Sequence, residues 1–427
     1  MRVGNCFATP VRGTAARLLP IDIDAPASWA EHEERYGPLP ELAGQSRSLL
    51  AAIEKSGLRG RGGAGFPTAV KARAVAVGRS PIVVANGTEG EPASAKDKVL
   101  LRENPHLVID GVLAAMAAVG AREAIVAASQ GAHASRASLE AALDGRPSAA
   151  RAIRVAAVPE RFVAGEESAL VHWLNGGDAK PTLTPPRPFE QGVRGRPTLV
   201  QNVETIANIG LIARYGADWF REAGTGEEPG TVLVTMGGAV RRPGVIEVEL
   251  GTPLRQLIEL AGGLTMPPRA LLVGGDFGTW IAAAGTLDTP LSERGLRPLG
   301  ASLGARTIFV LPSSACGVLE SARVARYLAG ESAGQCGPCV FGLPAVADAM
   351  EAIASGTAGA AAALERLPRL KVQIAHRGAC AHPDGALRFV DSALTVFTEE
   401  IAHHVAGHCT ASHAEPVLPT VTHSDRL

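Results

Sequence analysis

The chain has 427 residues, 46% of them hydrophobic and 19% charged, with a formal net charge of −1 at pH 7. That length predicts about two to four domains. The near-neutral balance gives no support for nucleic-acid binding or attachment to an anionic membrane.

Residues 1–45 are rich in Pro, Ala and acidic residues with little periodicity, so an irregular lead-in is expected there. Ser48–Lys55 has helical spacing. It is followed by the most informative stretch, residues 57–71, in which Gly57, Gly60, Gly62, Gly63 and Gly65 are interleaved with Arg59, Arg61 and, further on, Lys71. Glycines let bare backbone approach a ligand, and Pro67-Thr68 can open a helix whose first N–H groups attract an anion. The stretch reads as a phosphate cradle. Gly60, Gly62 and Gly65 also satisfy G-x-G-x-x-G, but the dinucleotide fingerprint needs a buried strand immediately before it, and here a helix precedes.

From 46 to 228 strand candidates (Pro81–Asn86, Glu123–Ser129, Ile153–Val158) alternate with helix candidates (Leu107–Val119, Ser135–Leu143, Glu166–Leu174, Val203–Tyr215). This alternation predicts an α/β domain with a largely parallel sheet. Residues 229–313 change texture. The β-rich runs Thr231–Met236 and Val245–Leu250, a helix at Pro253–Ala261 and short strands at Ala270–Val273 and Thr307–Leu311 suggest a β-grasp-like domain. Residues 314–412 are helical (Val318–Leu328, Val340–Ala354, Ala360–Ile374 with a kink or break at Pro368, Leu387–Val405), suggesting a bundle. Residues 413–427, with Pro416 and Pro419, read as a disordered tail.

No window offers about 18 charge-free apolar residues, so no transmembrane segment is expected. The best attempt, Pro105 to Ala121, contains Asp110 and runs on into Arg122 and Glu123. Without a hydrophobic signal core at the N-terminus, the expected location is cytoplasmic, whether free or peripheral to a membrane complex. The six cysteines are Cys6, Cys316, Cys336, Cys339, Cys380 and Cys409. In a reducing compartment, a close pair such as Cys336 and Cys339 reads as metal-binding or redox-active. No thioredoxin-like context surrounds it.

Four further stretches complete a resemblance: Val84-Ala85-Asn86-Gly87-Thr88-Glu89-Gly90-Glu91-Pro92 with Lys96-Asp97-Lys98, Gly165-Glu166-Glu167-Ser168, Gln201-Asn202-Val203-Glu204-Thr205, and Glu331-Ser332-Ala333-Gly334-Gln335-Cys336-Gly337-Pro338-Cys339. Together with the glycine loop, and in this order, they resemble the flavin- and NADH-binding subunit of respiratory complex I. That family also includes the matching subunits of bidirectional hydrogenases and NAD-dependent formate dehydrogenases.

The resemblance implies a flavin domain, a ubiquitin-like domain of the soluble-ligand-binding type and a helical domain carrying a 4Fe-4S cluster. It assigns the FMN phosphate to Gly60, Gly62, Gly63 and Gly65, with Arg61 and Lys71 nearby. Asn86 and Glu89 would contact the flavin ring or ribityl chain, Gly165 and Glu166 would lie beside the ring, and Gln201 and Asn202 near the phosphate end. Phe66, Glu91 and Glu167 belong to the side that holds NADH or NADPH.

The departures are equally specific. Thr88 stands where the family usually has aspartate, Phe162 where it has tyrosine and Gln201 where it has asparagine. Ala74 and Arg187 replace two stacking phenylalanines, and Thr184 a lysine. Arg187 offers the kind of partner a further phosphate, as in NADPH, would need. The cluster loses its first cysteine to Ala333 while Cys336, Cys339 and Cys380 remain. A replacement ligand from Cys316, Cys409 or His382, a three-coordinate cluster, and loss of the cluster all stay open. His403, His404 and His408 read as solvated helix-end residues, with a metal site the competing reading.

The expected activity is hydride transfer from NADH or NADPH onto FMN. Electrons would pass through the cluster, or directly, to an acceptor protein such as a ferredoxin-like or 2Fe-2S subunit. The alternative is a degenerate, non-catalytic electron-transfer or assembly subunit.

Overall fold

The structure, a computed structural model, describes residues 9–11, 13, 15–20, 26–412 and 416–419. Cys6 lies outside them. The 1–45 stretch expected to be irregular contains β1 (Pro10–Val11) and α1 (Trp29–Tyr36). That helix has a cause that periodicity does not register: Ser28 and Glu31 form a reciprocal capping box, satisfying amides that a helix start leaves open. α2 (Ser46–Ser56) ends at Gly57, φ +70°. The glycine loop then leads into α3 (Thr68–Ala76).

The first domain continues with β2 (Ile82–Gly87), α4 (Lys96–Glu103), α5 (Pro105–Val119), β3 (Ala124–Ser129), α6 (His133–Asp144) and α7 (Pro147–Ala150), and then with β4 (Ile153–Val158), α8 (Glu167–Leu174), β5 (Thr198–Asn202) and α9 (Val203–Arg221). Its four strands are all parallel in the order β4-β3-β2-β5. They are near-continuous apolar runs because helices cover both faces. α5 and α9 approach backbone to backbone: a Cβ on Gly111 would lie 2.0 Å from Ile206 O. Only glycine permits that contact.

The second domain holds β6 (Thr231–Gly238), β7 (Gly244–Glu249), α10 (Leu254–Leu260), β8 (Pro268–Val273), β9 (Thr279–Ala282), α11 (Glu293–Leu296) and β10 (Thr307–Pro312). β6 and β10 run parallel at its centre, flanked by antiparallel β7 and β8, the β-grasp arrangement the texture suggested. β1 adds to the edge of this sheet, parallel to β7. Glu247 on β7 holds the incoming chain: its buried carboxylate accepts the N–H groups of Arg17 (3.1 Å), Leu18 (2.8 Å) and Leu19 (2.9 Å) and the Thr231 hydroxyl (2.7 Å).

The helical end comprises α12 (Gly317–Gly330), α13 (Leu343–Ala354), α14 (Ala360–Ile374), α15 (His382–Val396) and α16 (Thr398–Val405). Pro368 sits inside a continuous α14, whereas the expected single helix 387–405 breaks at Phe397. Trp280 of β9 packs edge-on against Phe397 at 5.2 Å, so the bundle and the second sheet share apolar contacts. The tail differs from expectation within residues 416–419: Leu418 is buried, and the Val417 and Leu418 amides donate to Glu320 of α12 at 3.1 and 2.9 Å. Residues 413–415 and 420–427 lie outside the described residues.

Candidate flavin and iron–sulfur site

Chain order sets the location of the site. β2, β3 and β4 are laid down in one direction across the sheet, and β5 then pairs on the other side of β2. Ligands of open α/β sheets bind where the strand order reverses, beyond the carboxyl ends of the strands. At that point Asn86 of β2 is registered against Asn202 of β5.

The side chains there are bonded to one another. Asn86 Nδ2 donates to Gly165 O at 2.9 Å, and its Oδ1 accepts the Thr88 N–H at 3.0 Å. Asn202 caps α9 through the Glu204 N–H at 3.0 Å and donates to Asn86 O (3.2 Å) and Asp97 (2.6 Å). The glycine loop closes on itself through Gly60 N–H to Phe66 O at 2.8 Å. Gly63 and Gly65 adopt φ of +122° and +60°, backbone that side chains rarely tolerate. Gly62 and Gly165 form walls: a Cβ on Gly62 would meet Asn202 Cβ at 3.1 Å, and one on Gly165 would meet Thr88 O at 2.7 Å. The buried Thr88 Oγ1 and Glu167 Oε1 have no hydrogen-bond partner. Bare glycine backbone beside orphaned polar atoms, at the point where the strand order reverses, fits a flavin mononucleotide.

Several sequence-predicted side chains are also committed to the scaffold. The Arg61 guanidinium is buried and donates to Pro229 O at 3.1 Å, while its backbone N–H donates to Thr205 Oγ1 at 2.8 Å. Burial, then the neighbouring Arg306, lowers its pKa to about 9. Glu89 accepts the Asp97 and Lys98 amides (3.3 and 3.2 Å) and the Ser94 hydroxyl at the start of α4. Glu166 caps α8 by accepting the Ser168 and Ala169 amides, each at 3.0 Å. Gln201 is buried near the loop, its Oε1 3.9 Å from where a Gly60 Cβ would stand.

Sequence reasoning missed two supports. The first is Arg306, at the start of β10, which reaches across to donate to Arg61 O and to Gly60 O (3.2 Å). The second is the buried Lys96, whose Nζ meets Asp97 at 2.6 Å, Glu204 at 3.0 Å and Asn202 at 3.2 Å. Burial works against this ammonium, but Asp97 and Glu204 outweigh it and hold its pKa above the usual value. Burial pushes Asp97 up to about 6 despite Lys96. Lys96 and Asp97 are adjacent and belong to one short motif; the pairing with Glu204 spans 108 positions and leaves no local pattern.

On the nucleotide side, Phe66 is 53% exposed beside the loop. Lys71 pairs with Glu167 at 2.8 Å, joining a residue expected at the phosphate to one expected at the nucleotide. Glu91 is tied to Asp276 of the second domain. Arg187 is exposed, its backbone N–H bonded to Glu190.

Cys336 and Cys339 flank a tight turn before α13, in which the Cys339 N–H donates to Cys336 O at 3.1 Å. Burial, then Cys336 and Cys380, pushes the Cys339 thiol up to about 12. Cys380 is raised by burial, then by Glu166 and Cys336. The three thiols therefore lie within electrostatic reach of one another and of the flavin crevice. Soft thiolates drawn from two segments suit an iron–sulfur group. Ala333, buried, contributes no ligand.

Of the proposed replacements, Cys316 lies at the opposite end of α12, a helix of 14 residues and so about 21 Å long. It is grouped there with Cys409 and His404, so neither Cys316 nor Cys409 completes the set. The buried His382 binds Leu328 O through Nε2 at 2.8 Å, leaving Nδ1 without a partner. His404, expected to be solvated, is buried.

A parallel-sheet switch point lined with glycine and asparagine, near two thiols on a helical turn and a third on the loop before α15, defines a flavin- and iron–sulfur-binding oxidoreductase subunit. Residues 53–211 match the Nuo51 FMN-binding domain, 233–276 the SLBB domain and 320–404 the NADH-ubiquinone oxidoreductase-F iron–sulfur binding region. The chain is 33% identical to an NADH-quinone oxidoreductase subunit of Streptomyces coelicolor over 94% of each chain. It is 32% identical to the corresponding subunit of Rhizobium meliloti over 84% of this chain and 88% of that one. The NAD+-reducing NiFe hydrogenase in its H2-reduced state superposes with a TM-score of 0.81 at 30% identity, covering 90% of this chain and 68% of the hydrogenase chain. The chain belongs to the family of FMN-binding NADH-quinone oxidoreductase subunits. Among the described residues no helix is long and apolar enough to cross a membrane.

Proposed function

We propose that the chain oxidises NADH or NADPH with FMN and delivers electrons, through a cluster at Cys336, Cys339 and Cys380, to an acceptor protein of the ferredoxin-like or 2Fe-2S kind. The reading rests on contiguity. Gly165 and Glu166 border the crevice at Asn86, and Glu166 is close enough to Cys380 to act on its thiol. When bound, FMN supplies the conversion of a hydride into single electrons.

The chain's own work is positioning. The glycine loop, clamped by Arg306, would hold the phosphate end with Gln201 and Asn202 beside it, and Asn86 would face the ribityl chain or ring. Phe66 and Glu167 would border the nicotinamide nucleotide, and no side chain acts as a nucleophile. With Ala74 and Arg187 at the stacking positions, Arg187 favours a nucleotide bearing an additional phosphate.

Ala333 and the lost stacking rings favour a second reading, a subunit that keeps the fold and flavin without turnover. Anaerobically purified protein separates the two. Bleaching of the flavin spectrum by NADH or NADPH supports the oxidoreductase; a colourless protein, or a yellow one that neither nucleotide reduces, sinks it. An unchanged cluster EPR signal in Cys336→Ala would remove that residue from the ligand set.

A further inference from the structure

At the end of the bundle away from Cys336, three ligand-bearing side chains converge from two segments. Cys316 is the N-cap of α12, its Sγ accepting the Leu319 N–H at 3.2 Å. His404 ends α16, buried, with Nε2 3.2 Å from Cys316 Sγ. Cys409 follows the turn at Gly407, φ +86°, which brings the chain back over the helix end. The three ligand atoms all lie within 4.8 Å of one another. A tetrahedral zinc with bonds of about 2.3 Å to sulfur and about 2.0 Å to nitrogen holds its ligands about 3.5 Å apart. Only small side-chain shifts separate the observed group from that geometry.

The surroundings are already engaged elsewhere. Glu400, one turn before His404, accepts the Gly317 N–H at 3.0 Å and pairs with Arg269 at 3.1 Å, and its carboxylate also reaches the Cys316 thiol. His403 and His408 bond to each other at 2.8 Å on the exposed side. Cys409 is exposed, which gives an ion an entry path and leaves the fourth position to water.

We propose that Cys316, His404 and Cys409 form a zinc site, separate from the iron–sulfur cysteines, that clasps the end of the last helix to the start of the bundle's first. Two thiolates and one imidazole are a borderline-soft set typical of zinc. With three protein ligands and one water, the ion would be held less tightly than in a closed four-ligand structural site, and it takes no part in electron transfer. It would join two positions 88 residues apart, beside the backbone bond from the Ser412 N–H to Ser314 O at 3.0 Å.

The test uses the full chain purified with its flavin and iron in place, with zinc, iron and flavin measured per chain by elemental analysis and absorbance. The expected wild-type content is about one zinc per chain. Cys409→Ser, an exposed substitution that leaves the fold intact, should weaken zinc retention at least about tenfold against a chelator. Iron and flavin should be unchanged. Cys336→Ser should do the reverse, losing iron and keeping zinc. The proposal is overturned by wild-type protein that neither contains zinc nor takes it up on titration, by zinc retained unchanged in both Cys409→Ser and Cys316→Ser, or by mass spectrometry finding Cys316 and Cys409 joined as a disulfide in zinc-free protein.

Discussion

Glu91 and Asp276 meet across the boundary between the flavin domain and the second sheet: both carboxylate oxygens of Glu91 accept the Asp276 backbone N–H, each at 3.0 Å. Asp276 in turn keeps both of its own oxygens buried without a donor. Burial, then the Asp276 charge, drives Glu91 well up, and burial drives Asp276 to about 7. The native pair therefore holds more protons than the unfolded chain between about pH 4 and pH 7. The pair's contribution to stability is fullest at the acid side of that window and falls as pH rises through it. Asp276→Asn should flatten the fall; urea midpoints at pH 5 and pH 8 check this, and an equally steep mutant profile refutes it.

Arg306→Ala should loosen the glycine loop. Two charge-assisted hydrogen bonds to Gly60 O and Arg61 O disappear, at a cost of about 3 kcal/mol. Relief of the repulsion between Arg306 and Arg61 offsets part of this. The readout is flavin retained through gel filtration, which should fall more than the Tm alone accounts for.

Lys96→Met leaves Asp97 and Glu204 buried without their cation. Stranding one side of a buried ion pair costs about 3–5 kcal/mol. Urea denaturation should show a lower midpoint with an unchanged m-value.

Gly165→Ala places a Cβ 2.7 Å from Thr88 O, a backbone atom that cannot rotate away. The crevice wall must shift, so flavin binding should fall at least about tenfold, roughly 1.4 kcal/mol, while far-UV circular dichroism stays as in wild type. Flavin fluorescence titration of the apoprotein measures it.

Much of the fold was legible because its signals are local. β2, β3 and β4 are apolar runs between turn residues, and α5 begins at Pro105 and ends at Gly120. β9 was missed because Thr279–Ala282 is only four residues long. Residues 416–419 read as tail because of Pro416 and Pro419, while what holds Val417 and Leu418 is the Glu320 carboxylate, 97 positions upstream of Val417. The candidate site divides in the same way. The glycines and asparagines stand in short ordered motifs, but Arg306 acts on a loop 245 positions earlier, and His404 looked solvated because its partner is Cys316. Charged side chains satisfied across such separations resemble surface residues in a linear reading.

Glu247 collects the amides of Arg17, Leu18 and Leu19 from up to 230 positions away. During synthesis at about 5–20 residues per second, the first strand and its following turn must wait on the order of ten to fifty seconds for that carboxylate to emerge. Meanwhile the parallel sheet can assemble without them. Arg17–Leu19 thus docks only after the four-stranded parallel sheet has been made, and a nascent chain stalled before β7 would carry that segment unanchored beside the flavin domain.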